Sequence, residues 1–313
     1  MKPANGGGMK PDLSVSIAGI KLQNPVLAAS GTFGYGEEYA PYIELKQLGG
    51  IVTKGISLLP RAGNPTPRSV ETPAGMLNSI GLQNVGIKRF LTDKLPFLRE
   101  LGVPIFVNIL GDSCEDYTAL AETLCQQGEG LSAIEVNISC PNVKEGGLAF
   151  GRNPQSAFEV ISRIKKVSTL PVIPKLTPQV PDISLIARAV EDAGADAISL
   201  INTIPAMVVD VKRRRPVLAT GIGGLSGPAI RPIAVRMVWE TASTVKVPVI
   251  GIGGITSARD ALEFIIAGAH AIQVGTANFV NPRITMEIIE GIEKFMGEQG
   301  LQDLSQIRGT LTM

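Results

Sequence analysis

The stretch PVIGIGGITSARDALEFIIAGAHAIQVGTA, residues 248–277, reads as strand, helix, strand. PVIGIGG (248–254) and AIQVGTA (271–277) are short apolar runs, each with glycine at its C-terminal end, Gly253-Gly254 in the first and Gly275 in the second. Residues 256–267 between them have helical character. Ser257-x-x-Asp260 forms a capping box at the start, and Gly268 stops the helix. The two apolar runs are nearly continuous, as strands buried on both faces should be.

The same alternation extends in both directions. Further strands are predicted at PVLAAS (25–30), GGIVTKGIS (49–57), PIFVNIL (104–110), AIEVNIS (133–139), PVIPKL (171–176) and AISLIN (197–202). Helices are predicted over 87–101, 116–127, 154–168, 182–193, 230–243 and 282–297. The 182–193 helix is well marked. Asp182 caps it, Ile183, Ile186 and Val190 recur at helical spacing, and Gly194 ends it. Eight strands alternating with helices predict a (β/α)8 TIM barrel, with a doubly wound open sheet as the alternative. The long connections 58–86 and 203–229 follow the second and sixth strands. Long loops at strand C-termini are where a barrel builds the cover of its active site. Residues 1–11 read as a flexible leader and 12–313 as a single barrel domain, with little pattern after about Gly300.

Composition narrows the function. The 313 residues include 29 basic and 28 acidic side chains, a balance that argues against a general electrostatic grip on nucleic acid or an anionic membrane. The cluster Lys212-Arg213-Arg214-Arg215 reads as a solvated loop, with a phosphate or partner contact as the alternative. No apolar run reaches the ~20 residues needed to span a bilayer. The N-terminus MKPANGGGMK lacks an apolar signal-peptide core, so the expected compartment is the cytoplasm. Three separated cysteines (Cys114, Cys125, Cys140) and one histidine, His270, do not make a metal site. His270 enters an apolar strand and reads as structural; any Ser-His-Asp triad would have to use it.

In a barrel, catalytic groups project from the C-terminal strand ends. Those ends carry Ser30, Lys54, Asn108, Asn137 with Cys140 and Asn142 beyond it, Lys175, and Asn202-Thr203. The last two ends carry Gly253-Gly254 and Gly275-Thr276. Glycine lets backbone N–H groups approach an anion closely, and a following helix aims its positive N-terminus at the same place. The paired glycine ends therefore predict a phosphate site. Lys54 and Lys175 lie in apolar strands. A buried ammonium needs a negative partner, either an internal carboxylate or a bound anion. Few acidic residues occupy these strand ends, so a ligand anion is expected.

These residues carry a family resemblance. NSIGLQN (78–84), NISCPN (137–142), INT (201–203), GGLSGPAI (223–230), GIGGI (251–255) and VGTA (274–277) resemble the class 1, FMN-dependent dihydroorotate dehydrogenases of pyrimidine synthesis. The resemblance runs from about residue 12 to about 297 and implies a (β/α)8 barrel with FMN at its C-terminal face. Quinone-linked members use a serine base, whereas Cys140 stands at that place here. GLSGPAIRPIAVRMVWE (224–240) is most similar to the NAD-linked type 1B. That type pairs the FMN subunit with a second subunit carrying FAD and a [2Fe–2S] cluster, as a homodimer core within a heterotetramer.

The resemblance also implies roles. Cys140 removes the C5 proton of dihydroorotate, and the C6 hydrogen leaves as hydride to flavin N5. Asn78, Asn137, Asn142 and Asn202, with Thr203, read the pyrimidine ring, since an amide both donates and accepts. Lys54 and the backbone of Ser79, Ile80, Gly81 and Leu82 meet the substrate carboxylate. Ser30, Lys54, Gly55, Asn108, Asn137, Lys175, Ile201 and Gly227 line the flavin, and Lys175 faces the charge of its reduced form. Gly253, Gly254, Gly275 and Thr276 hold the phosphate. The alternatives are a fumarate-linked homodimer, another FMN barrel acting on dihydropyrimidines or on tRNA, and a non-enzymatic barrel scaffold.

Overall fold

The structure, a computed structural model, describes residues 10–139 and 150–312. Residues 1–9, most of the expected leader, lie outside the described residues. So do Cys140 and Asn142.

The eight apolar runs form eight parallel strands. They are β1 (Val26–Ala28), β2 (Gly50–Val52), β3 (Ile105–Ile109), β4 (Ala133–Asn137), β5 (Val172–Leu176), β6 (Ile198–Leu200), β7 (Val249–Ile252) and β8 (Ala271–Val274). They pair in chain order, and β8 closes on β1 with Ile272 opposite Val26. The closed ring decides against the open sheet. Each strand is shorter than its apolar run. The residues beyond the last ladder bond leave the sheet and turn over the mouth of the barrel.

Helices surround the ring at Cys114–Gln127, Pro154–Val167, Ile183–Asp192, Arg231–Ala242, Ala258–Ile266 and Ile284–Glu298. Side-chain oxygens cap four of them, accepting backbone N–H groups at Ser113, Asn153, Asp182 and Ser257. The expected capping box at Ser257 is half present. Ser257 Oγ accepts from the Asp260 N–H at 3.2 Å. The Asp260 carboxylate turns instead to the Thr256 N–H and hydroxyl and to Arg231, because a guanidinium is the stronger partner.

The two long connections do not stay separate. Ser69–Thr72 and Gly75–Asn78 come from the connection after β2. Ile204–Ala206 and Gly223–Ser226 come from the connection after β6. Together they form one antiparallel sheet over the barrel mouth, joined where Gly224, Leu225 and Ser226 face Asn78, Leu77 and Met76. The backbones nearly touch at this seam. A Cβ on Gly75 would lie 2.0 Å from the Ser226 carbonyl, and one on Gly227 would lie 2.6 Å from the Gly75 Cα. The cluster Lys212–Arg215 sits on a separate small hairpin, where Val209–Asp210 pairs with Arg215–Pro216, and is exposed.

At the opposite end, the hairpin Val15–Ile17/Ile20–Leu22 buries Ile17 and Leu22 completely. The chain after Gly300 is more ordered than its sequence predicts. Asp303 and Gln306 form a capping box, and the Gly309 and Leu311 N–H groups donate to the carbonyls of Ile265 and Ile266. His270 lies at the entry to β8, where its N–H donates to the Val249 carbonyl at 2.7 Å. Burial, and then the charge of Arg308, push its pKa down to about 4. Cys114 and Cys125 are half-buried and pack against the core.

Two tests follow from this architecture. Gly75→Ala would force a Cβ into a backbone carbonyl at a φ that L-residues avoid. We expect a loss of roughly 1–3 kcal/mol or more in thermal unfolding, and an unchanged melting temperature would mean that the seam is looser than described. His270 protonates near ~6.5 in the unfolded chain but only near 4 in the folded one. The unfolded state therefore binds more protons between those values, and stability falls as pH drops from about 6.5 toward 4. Chemical denaturation across this range should show a shallower decline for His270→Asn than for the parent.

Candidate active site at the mouth of the barrel

The strand ends and the roof sheet enclose a cavity of about 580 Å³. Its lining includes every described residue that the sequence proposed for catalysis, substrate or cofactor. Ser30, Lys54, Gly55 and Asn108 come from the ends of β1 to β3. Asn137, Lys175 and Ile201-Asn202-Thr203 come from β4 to β6. Gly253-Gly254 and Gly275-Thr276 follow β7 and β8. Asn78, Ser79, Ile80, Gly81, Leu82 and Gly227 reach it from the roof.

The β7 and β8 ends form a cradle. Gly254 has φ +73°, and a Cβ there would lie 2.8 Å from the Gly227 carbonyl and 2.9 Å from the Arg231 nitrogen. The nine-residue helix Ala258–Ile266 begins just beyond it. Arg231, at the start of the preceding helix, is tied to this helix through Asp260 and, at 3.3 Å, Glu263. Thr276 Oγ1 donates to Ser226 Oγ at 2.8 Å, linking the cradle to the roof. Gly275 and Thr276 add further backbone beside it. Converging N–H groups at a helix start suit a phosphate.

The amides are held in place from below and behind. The Tyr117 hydroxyl donates to the Asn137 carbonyl at 2.6 Å. Asn137 Oδ1 accepts from the Ser139 N–H at 3.2 Å and from Asn202 Nδ2 at 3.3 Å. Asn202 Oδ1 accepts from the Thr203 N–H at 2.8 Å. On the roof, Asn64 brackets the 79–82 loop, with its Nδ2 donating to the Ser79 carbonyl and its N–H to the Ile80 carbonyl, each at 3.0 Å. The Ser79 N–H donates to the Arg68 carbonyl at 2.8 Å. That engagement leaves Ile80–Leu82 as the part of the loop whose N–H groups can meet an anion.

The two lysines differ, and here the sequence expectation needs correction. Burial, and then the neighbouring cation Arg68, hold the Lys54 ammonium below its usual pKa. A bound anion would relieve both effects. Lys175 already has an internal partner, with its Nζ 3.6 Å from Glu135 Oε1. Glu135 itself is 1% exposed. Its Oε1 accepts from Asn108 Nδ2 at 2.7 Å, and its Oε2 from Ser199 Oγ at 2.9 Å and Gln273 Nε2 at 2.7 Å. Sequence reasoning looked for acids at the strand ends and missed this one inside β4. The signal was present as a lone acid in AIEVN and a lone amide in AIQV, each within a strand otherwise apolar.

Among the described residues, no cluster of three or more His, Cys, Asp or Glu side chains is placed to hold a metal. No described helix is long and apolar enough to cross a membrane.

Comparison with known proteins agrees with this geometry. The family model for dihydroorotate dehydrogenase matches residues 12–296. A protein of Geotalea uraniireducens, named dihydroorotate dehydrogenase B (NAD(+)), catalytic subunit, is 57% identical over 302 residues, covering 96% of this chain and 99% of its own. A protein of Trichlorobacter lovleyi with the same name is 57% identical over 303 residues, covering 97% and 99%. One from Geotalea daltonii is 55% identical over 302 residues, covering 96% and 99%. With a family match across the barrel and its mouth, this chain belongs to the dihydroorotate dehydrogenase family.

Proposed function

We propose that this chain oxidises dihydroorotate to orotate in pyrimidine synthesis, as the FMN-bearing catalytic subunit of an NAD-linked enzyme. The observation that carries the reading is the shared cavity. An anion cradle, the buried Lys175, the partly buried Lys54 and the amides Asn78, Asn137 and Asn202 all open into it. The cradle suits the phosphate of FMN because Gly253, Gly254 and Gly275 carry no Cβ to cover their backbone N–H groups, and at Gly254 the close packing against Gly227 and Arg231 admits none. Lys175 and Asn108 suit the polar edge of the flavin ring, while Ile201 and Gly227 suit its apolar surface.

Held by the cradle, Lys175 and Asn108, FMN would supply the two-electron acceptor for the hydride that leaves C6. The chain's own residues do the rest. Lys54 and the Ile80–Leu82 backbone hold the substrate carboxylate. The amides fix the ring, with Asn142 and Thr203 in the same role. Cys140 takes the C5 proton on its sulfur. A thiol with an ordinary pKa near ~8.5 is a minor thiolate at neutral pH, so the rate should rise with pH. Electrons then pass to NAD through a second subunit, for which FAD and a [2Fe–2S] cluster are the proposed carriers. The catalytic-subunit names of the relatives support a separate partner. A homodimer of this chain is the proposed core of a heterotetramer in the cytoplasm. Residues 12–313 would act there as one domain.

Three outcomes are expected. Purified protein should be yellow, release FMN on denaturation, and show a flavin spectrum perturbed by orotate; a colourless protein that fails to take up FMN would sink the reading. Cys140→Ser should keep FMN but lose roughly 10²–10⁴-fold in turnover at neutral pH, the usual contribution of a positioned base. Parental turnover in that variant would remove Cys140 from the mechanism. Lys54→Met should weaken orotate binding by roughly tenfold to a hundredfold, the cost of one charge-assisted hydrogen bond. An unchanged orotate affinity, read by spectral titration, would move the carboxylate elsewhere.

A further inference from the structure

The buried group that this mechanism leaves unused is Glu135. Side chains from four other strands converge on it. Asn108 from β3, Ser199 from β6 and Gln273 from β8 donate to its oxygens at 2.7–2.9 Å, and Lys175 from β5 approaches from the cavity side. Three neutral side chains donate to its two oxygens, so both are satisfied as acceptors inside the core. The Lys175 ammonium stands at 3.6 Å, beyond ordinary hydrogen-bond length. It is attracted to Glu135 without giving up a donor to it. Lys175 therefore keeps its N–H groups for the cavity, while a fixed negative charge sits directly behind it.

The geometry points to Glu135 as a positioning residue for electron uptake by the flavin. It anchors the Lys175 ammonium at the cavity floor and offsets part of that ammonium's pull on the reduced, anionic cofactor. In this way Glu135 sets how readily the cofactor accepts electrons from substrate and gives them to the next carrier. Asn108 belongs to the same device, because one of its donors is held by Glu135 while the residue lines the cavity. This inference rests on the proposal that FMN occupies the cavity.

The test is the midpoint potential of bound FMN, measured by spectroelectrochemical titration without substrate. Glu135→Gln keeps the shape and removes the charge, so it should raise the potential. The expected shift is at least tenfold in the oxidised-to-reduced equilibrium, about 30 mV for a two-electron couple. Lys175→Met should lower it. In the Lys175→Met background, Glu135→Gln should shift the potential much less, because its effect acts through the ammonium. If Glu135→Gln does not fold, Glu135→Asp, which withdraws the carboxylate by one methylene, should give a smaller rise. An unchanged potential in the variant that folds overturns the inference. So does a fall, which would make Glu135 a tether for Lys175 and nothing more. Failure of the parent protein to bind FMN defeats the functional reading itself, whereas FMN bound at an unshifted potential defeats this inference alone.

Discussion

Closing eight parallel strands into a ring leaves no free strand edge and points alternate side chains at a single axis. Whatever polar group the sequence places on that axis must be satisfied there, far from water. Glu135 is that group. Its two oxygens take three side-chain donors and the attraction of one ammonium, drawn from four other strands. The arrangement locks the interior below the cavity into one register, because a strand displaced by one residue would turn its donor away. A buried charge with partners missing is strongly destabilising. The same contacts that satisfy the carboxylate therefore also specify the floor of the active site.

Above that floor, the site is completed by segments far apart in sequence. The connection after β2 and the connection after β6 meet across the mouth, with Leu77 opposite Leu225. Neither would order its backbone well alone, since two-stranded ribbons are marginal in water. Together they make a four-stranded roof. Close backbone approach at Gly75 and Gly227 lets the seam lie flat over the cavity. The contact from Thr276 to Ser226 then couples the roof to the anion cradle. Binding at the cradle and binding under the 79–82 loop share one rigid cover.

Much of this was legible in the residues. The apolar runs located all eight strands, because strands buried on both faces have a plain signature. Asp182 and Ser257 marked helix starts, and both accept the expected N–H bonds. The polar strand ends pointed to one cavity, and the described members line it. Three features were not legible. The Asp260 carboxylate chose Arg231 over a local capping box, a competition settled by a residue in another helix. The tail after Gly300 has weak periodicity because its order comes from carbonyls left free at the end of the Ala258–Ile266 helix. For Lys175 a ligand anion was favoured over an internal carboxylate because Glu135 lies two residues earlier on the neighbouring strand, at a register that local pattern does not reveal.

By itself, the sequence determined the alternation of strands and helices, the polar identity of each strand end and the glycine pairs. These are local properties, set by period, capping chemistry and side-chain type. Only the tertiary structure decided that the ring closes, that two remote connections pair as one roof, and that a carboxylate on β4 stands behind a lysine on β5. Those are relations between segments separated by tens of residues. Their free energy comes from burial and strand register, which no single stretch of the chain contains.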